Sequence, residues 1–182
     1  AFTIMGWIYL VSLPAGGAYY PVFIRGSSFD SGFQFFTTGG VTRFDLGDRL
    51  VDNTGSTASS DTWYHVAWVR ESGIVDKLYV DGVLDINVNL IDEAGTDVDI
   101  SDWSYGTQFF DGRVEALKIW DAALTIEEVN QERWRHRPVR FANLWNRTDA
   151  LASGDVTDYS GAANAWTVGG TLSTEANPPA GW

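Results

Sequence analysis

The residues of this 182-residue chain best suited to chemistry are loop carboxylates and loop aromatics. Asp30 stands in a small-residue segment, Gly26-Ser27-Ser28-Phe29-Asp30-Ser31, and Asp92, Glu93, Asp97, Asp99 and Asp102 crowd a second stretch. Calcium takes six to eight hard oxygen ligands, and small extracellular modules hold it weakly. A calcium ion at these loops is therefore one expectation. The aromatics offer a second. Tyr19 and Tyr20 follow the pair Gly16-Gly17, Phe29 flanks Asp30, and Trp103 and Tyr105 follow the acidic stretch. Rings held on loops can stack against the apolar face of a sugar while polar neighbours hold its hydroxyls. Trp7, Trp63, Trp68 and Trp120 lie inside apolar runs instead and read as core.

Other chemistries lack their residues. There is no cysteine, hence no disulfide framework and no thiolate metal site. The two histidines are separate: His65 sits within a strand pattern, and His136 within the basic run Arg133-Trp134-Arg135-His136-Arg137. That leaves no zinc set. Hydrolysis of a glycosidic bond needs two carboxylates flanking it, yet Glu115 lies between Val114 and Ala116 with no acid two residues away. No glycine-rich phosphate loop or nucleophile elbow occurs. Twenty-four acidic against twelve basic residues leave a formal charge of −12, which repels phosphate backbones and anionic membranes. Neither nucleic-acid binding nor membrane insertion is expected, and no apolar run is long enough to span a bilayer.

The elements that must position these residues are mostly strands. Short aromatic and β-branched runs bounded by Gly, Asp, Asn or Ser predict strands at 2–11, 20–25, 32–37, 41–46, 63–70, 77–80, 83–88, 108–111 and 113–120. In the fifth of these, Trp63, His65, Ala67 and Val69 alternate with Tyr64, Val66, Trp68 and Arg70. Asp81-Gly82 between two apolar runs predicts a tight hairpin, because a type I′ turn needs positive φ at both central residues. Thr125-Ile126-Glu127-Glu128 has the form of a capping box, predicting a helix over 126–136 that stops before Pro138. From Asn143 the composition shifts to Gly, Ala, Ser, Thr and Asn, but Trp145, Tyr159, Trp166 and Trp182 argue against a free linker.

Three segments carry a likeness to a known family. They are Phe2-Thr3-Ile4-Met5-Gly6-Trp7-Ile8-Tyr9; Thr62-Trp63-Tyr64-His65-Val66-Ala67 with Leu78-Tyr79-Val80-Asp81-Gly82; and Phe110-Asp111-Gly112-Arg113-Val114-Glu115, running through Ile119-Trp120-Asp121 to Leu124-Thr125 and Glu128. In this order they resemble the concanavalin A-like lectin/glucanase superfamily, in its laminin G-like and pentraxin-like branch, over roughly residues 1 to 140. The resemblance implies an all-β, two-sheet antiparallel jelly-roll sandwich with one short helix near 125–136. Asp158-Tyr159-Ser160-Gly161, with Asn164 and Gly169-Gly170, resembles a piece that precedes the first strand in this family. Here it stands at the other end of the chain, so it either completes the sheet in a permuted sense or opens a neighbouring repeat; the aromatics favour the first, with residues 143–182 an ordered extension of a single domain spanning 1–182.

The likeness also bears on function. Pentraxins carry Asp-Asn in a calcium loop after their second strand, where this chain has Asp30-Ser31. They carry a ligand glutamine four residues before the glycine matching Gly112, and Gln108 occupies that place. Asp30, Asp102 and Gln108 are thus the implied calcium ligands, while Tyr105 stands where a further acid is expected. In a pentraxin-like arrangement Phe29, Asp30, Asp102, Trp103 and Tyr105 share one loop edge. The E-x-D-x-x-E run of laminarinase-like members is absent, as are the residue sets of the lyases. The leading expectation is a non-catalytic module that binds a glycan, with calcium helping. The alternative is an adhesion domain contacting an extracellular protein ligand within a larger surface or phage-type protein, and an enzyme comes third. The chain opens at Ala1-Phe2-Thr3-Ile4 inside a strand, which suggests a processed piece of a longer secreted or cell-surface protein.

Overall fold

The computed structural model describes residues 1–25, 31–48, 51–71, 75–90, 98–100, 109–135, 137–139, 142, 144–145 and 158–162. The strands are β1 (Phe2–Leu10), β2 (Tyr19–Arg25), β3 (Ser31–Thr38), β4 (Val41–Asp48), β5 (Thr54–Thr57), β6 (Thr62–Arg70), β7 (Val75–Val80), β8 (Val83–Asn89), β9 (Val98–Ile100), β10 (Gly112–Trp120) and β11 (Leu144–Trp145), with one helix, α1 (Ile126–Arg133). They form two antiparallel sheets, ordered β11-β10-β1-β6-β7-β8 and β5-β4-β3-β2-β9. This is the expected jelly-roll sandwich.

Side chains alternate across each strand. From β1, Phe2, Ile4, Ile8 and Leu10 enter the space between the sheets, while Met5 belongs to a second cluster on the outer face. A strand covered on both faces reads as a nearly continuous apolar run, and Phe2–Leu10 reads that way. The inter-sheet core is rich in phenylalanine. Phe23, Phe33, Phe35 and Phe44 make tilted, edge and stacked contacts with centroids 5.3 to 6.2 Å apart, opposite Ile4, Ile8 and Trp68. Such pairs add about 0.5–1.5 kcal/mol each beyond simple burial.

Local chemistry behaves as read at two points. Asp81 (φ 53°) and Gly82 (φ 79°) turn β7 into β8, pairing Val80 with Val83. At the helix, the Thr125 side chain accepts the Glu128 N–H, and the Glu128 carboxylate accepts the Thr125 N–H at 2.8 Å. Thr125→Ala is expected to lower stability by about 1 kcal/mol, read as a shifted denaturation midpoint with an unchanged slope. An unmoved midpoint would remove the cap from the energetic picture.

Other expectations need correction. The helix ends at Arg133, not His136, with Trp134 as its C-cap, and the buried Lys118 ammonium takes the carbonyls of Glu132 and Arg135. Phe109–Asp111 is not a strand. Phe110 instead turns its ring into the core, parallel to Phe35 at 6.2 Å. The chain doubles back so closely that a Cβ on Gly112 would lie 2.1 Å from the Phe110 ring and 2.2 Å from the Tyr9 carbonyl. Strands β5, β9 and β11 escaped the sequence reading because they are two to four residues long. Of the segment after 143, Leu144–Trp145 pairs with Ile119 and Lys118 of β10. Asp158 accepts from the Ser160 N–H and hydroxyl at 2.9 Å.

A bulge shapes the outer face of the six-stranded sheet. Strand pairing shifts between Met5 and Trp7, opposite Ala116, whose φ is +50°. The extra residue reverses the alternation of β10 at that point. Lys118, opposite Met5, and Arg113, opposite Tyr9, thereby reach the same face although they are five positions apart.

Candidate functional site

On that face side chains stand in rows across β10, β1 and β6: Trp120–Thr3–Val69, Lys118–Met5–Ala67, Glu115–Trp7–His65 and Arg113–Tyr9–Trp63. Helix α1 covers the first rows with Val129, beside Leu124 and Ala142. The Trp7 row is closed by Trp134, whose ring lies 5.0 Å from that of Trp7, and the Trp7 indole N–H donates to the Arg133 carbonyl. Arg133 sits over both indoles and binds the Asp81 carboxylate at 2.7 Å. His65 is packed beneath this cover; burial, with Arg133 and Lys118 nearby, holds its imidazole well below the usual range.

Among the described residues no such cover lies over the fourth row. Tyr9, Trp63 and Arg113 are half-buried, with the Tyr9 and Trp63 rings 5.3 Å apart at 51°. The Arg113 guanidinium lies 4.8 Å from the Tyr9 centroid. At the other end the Tyr9 hydroxyl donates to Asp61 Oδ1 at 3.0 Å. That hydrogen bond, more than burial, pushes the phenol up. Asp61 is exposed, at φ +56°, a left-handed conformation that aspartate tolerates better than most residues. The result is an angled two-ring ledge with an acceptor at one end and a donor at the other.

Sequence reasoning assigned Trp63 to the core and passed over Tyr9, Asp61 and Arg113. A length comparison was the available signal. A helix of eight residues is about 12 Å long, while nine residues of strand run to about 30 Å. The helix therefore covers part of the face only, and among the described residues nothing else lies over the strand ends.

The five-stranded sheet carries the described members of the predicted site. Tyr19 (β2), Phe36 (β3), Arg43 (β4) and Thr57 (β5) form one outward row. The Tyr19 and Phe36 rings stack at 4.4 Å and 8°, and the Tyr19 hydroxyl donates to Asp52 at 3.0 Å. Burial, then the Asp52 hydrogen bond, pushes this phenol up to about 12. Arg43 donates to the Gly55 carbonyl. In the next row Gln34 faces Asp45, both fully buried, with Gln34 Nε2 donating to Asp45 Oδ2 at 2.7 Å. Tyr20 points the other way, packs on the inter-sheet core and brings its hydroxyl within 3.3 Å of Ser12.

Phe29, Asp30, Asp102, Trp103, Tyr105 and Gln108 lie outside the described residues, as does His136. Of their described flanks, Arg25 and Ser31 pair with each other across β2 and β3, and Ile100, which precedes 101–108, pairs with Phe23. Among the described residues no group of three or more His, Cys, Asp or Glu could hold a metal ion. No helix among them is long and apolar enough to cross a membrane.

Two antiparallel sheets with a capped helix laid across one outer face define a lectin-type β-sandwich. The chain belongs to the concanavalin A-like lectin/glucanases superfamily, whose laminin G-type family model matches residues 1–130. No curated protein matches it. Among solved structures it is similar to a Bacteroides ovatus protein described as carbohydrate-binding, with TM-score 0.68 and 15% identity over 88% of this chain and 49% of that one. It is also similar to domain 4 of an extracellular arabinanase from Geobacillus stearothermophilus, solved with arabinotriose, with TM-score 0.56 and 17% identity over 72% and 66%. A third is the sialidase of Trypanosoma rangeli, with TM-score 0.54 and 19% identity over 70% of this chain and 22% of the enzyme. The chain thus spans about half of the first of these and about a fifth of the third. At such identities the likeness carries the fold.

Proposed function

We propose that the chain is a non-catalytic recognition module for carbohydrate, working outside the cell. The observation that carries this reading is the Arg113–Tyr9–Trp63 row, half-buried and left without a covering element among the described residues, with Asp61 at its end. Two rings fixed on a sheet accept the C–H face of a sugar without losing much side-chain freedom, and the flanking carboxylate and guanidinium hold hydroxyls. The similar proteins described as carbohydrate-binding and solved with arabinotriose support the choice of ligand class. The sequence has no E-x-D-x-x-E run of the laminarinase kind, which supports a binding role.

Calcium enters the proposal at the other sheet. Asp30, Asp102 and Gln108 would hold it, beside Phe29, Trp103 and Tyr105, and the ion would tie sugar hydroxyls to protein oxygens. The test is affinity electrophoresis against a panel of neutral and acidic polysaccharides, with calcium and with chelator. Trp63→Ala is expected to weaken binding about tenfold or more while the melting temperature stays within a few degrees. If Trp63→Ala binds normally and Trp103→Ala does not, the ledge is overturned in favour of the loop edge. If no polysaccharide is retarded in either condition, the carbohydrate reading fails and the adhesion alternative takes its place.

A further inference from the structure

We propose that Asp45 and Gln34 form a proton-operated latch on the outer face of the five-stranded sheet: a proton on Asp45 closes a cyclic acid–amide pair with Gln34, and its loss loosens the adjoining 51–53 segment.

The two residues are direct cross-strand partners on β4 and β3, both with no exposed surface. One edge of the pair is made, Gln34 Nε2 to Asp45 Oδ2 at 2.7 Å. The other edge is missing its hydrogen. Asp45 Oδ1 and Gln34 Oε1 are buried acceptors without a partner among the described residues. An ionised carboxylate has only acceptors, and an amide oxygen has only lone pairs. No rotation of either group satisfies both oxygens. Turning the Gln34 amide over would only set its oxygen against Asp45 Oδ2. A single proton on Oδ1, donated to Oε1, answers both at once, and an unpaired buried acceptor is costly enough to make that matter.

The surroundings favour the neutral acid. Burial raises the Asp45 carboxyl to about 7, Asp52 adds to the rise, and the hydrogen bonds from Gln34 and the Asn53 backbone pull against it. The other ionisable groups on this face point elsewhere or add negative charge. Tyr19 is held by Asp52, and Arg43 is turned to the Gly55 carbonyl; on β9 the backbone of Asp99 pairs with that of Ile24.

The latch touches a segment that can respond. A Cβ placed on Gly47 would lie 2.9 Å from the Val51 carbonyl, 3.0 Å from Asp45 Oδ2 and 3.4 Å from Gln34 Nε2, so all three converge on that side-chain-free spot. Asn53 is tied to Leu46 by two hydrogen bonds, and Asp52 holds Tyr19. Ionising Asp45 puts a second negative charge beside Asp52 and sets carboxylate against amide oxygen. Strain of that kind is relieved most easily by letting 51–53 lift, which would release the Asp52 hold on the Tyr19 hydroxyl beside the Tyr19–Phe36 stack.

The sign follows from linkage. The folded carboxyl titrates above its unfolded value near 4, so its stabilising contribution is complete at acid pH and lost as pH rises through about 7. Asparagine at this position mimics the protonated state, because its amide donates to Gln34 Oε1 and still accepts from Gln34 Nε2. Between pH 8 and pH 5 the folding constant of the native protein is expected to gain roughly a hundredfold relative to that of Asp45→Asn. Exchange of the Leu46 amide, corrected for its intrinsic rate, should quicken at pH 8 in the native protein only. Equal pH profiles, or an Asp45→Asn variant that is weaker at pH 8, would overturn the latch. If the variant does not fold, the Asp45 carboxyl carbon shift in the native protein decides, with a midpoint near 7 expected and one at or below 4 overturning the idea. A melting temperature that rises with calcium at pH 8, and does so only while Asp45 is present, would mean the orphan oxygens hold a cation, which also overturns it.

Discussion

Asp76→Asn is expected to cost about 3–5 kcal/mol, the range for breaking a buried charge pair from one side. Asp76 is fully buried at the inner face of β7 and opposite Arg70, which is itself almost fully buried. Its Oδ1 accepts the Trp68 indole N–H at 2.7 Å and Arg70 Nε at 2.8 Å, and its Oδ2 accepts Arg70 Nη2 at 2.8 Å. Asparagine preserves the shape and one acceptor but turns an NH2 group toward the guanidinium. A donor then faces a donor in a fully buried site, and the guanidinium loses the carboxylate charge of Asp76. The Phe2 and Trp68 rings, 5.5 and 5.9 Å from the guanidinium, offset only a fraction of this. Replacing both charges, as Arg70→Met with Asp76→Leu, should cost clearly less than the two single changes added together. The Trp68 N–H would still be stranded, leaving about 1–3 kcal/mol of loss. Urea denaturation with a constant slope measures all of these. An Asp76→Asn loss below about 1 kcal/mol would show that the pair contributes little.

Lys118→Met should destabilise by about 3 kcal/mol and act mainly on the helix. The ammonium is buried, donates to the Glu132 carbonyl at 2.6 Å and to the Arg135 carbonyl, and lies 3.6 Å from the Glu132 carboxylate. The other Glu132 oxygen accepts the Val139 N–H at 2.7 Å. One cation thus gathers the end of α1 and the chain beyond it. Burial already pulls the amine down to about 8, against the attraction of Glu132, so methionine recovers part of the desolvation cost. What it cannot recover is the ammonium's own hydrogen bonds to the Glu132 and Arg135 carbonyls and its positive charge beside the Glu132 carboxylate. Near-UV circular dichroism should report loosened packing of Trp134 on Trp7, and α1 amides should exchange faster than those of β6. Uniform protection across both elements would contradict an anchoring role.

What could be read from the chain and what could not divide along the range of the forces involved. The Thr125–Glu128 box and the Asp81-Gly82 turn act over three or four residues, and both are found where they were expected. The alternation from Trp63 to Arg70 also holds: Tyr64, Val66 and Trp68 serve the inter-sheet core, while Ala67 and Val69 meet the helix. Trp63 obeys the same alternation, yet its exposure depends on how far the helix reaches, which no local pattern states. Tyr19 and Tyr20 are neighbours in sequence with the same flanking glycines, and only sheet pairing sends one outward to Phe36 and the other inward. Asp45 and Gln34 offered no motif. They became a unit because the β3–β4 register placed them opposite one another with no exposed surface.

The sandwich class, the hairpin and the capped helix were therefore determined by sequence alone, through side-chain period, turn stereochemistry and hydrogen bonds within a few residues. The tertiary structure decided which outward residues stay uncovered and which polar groups lose their water. The bulge at Ala116 shows why. One added residue with positive φ reverses the alternation of β10 and carries Arg113 to the face of Tyr9 and Trp63. Nothing in the spacing of Arg113 and Lys118 announces it, because the bulge arises from how β10 pairs with β1.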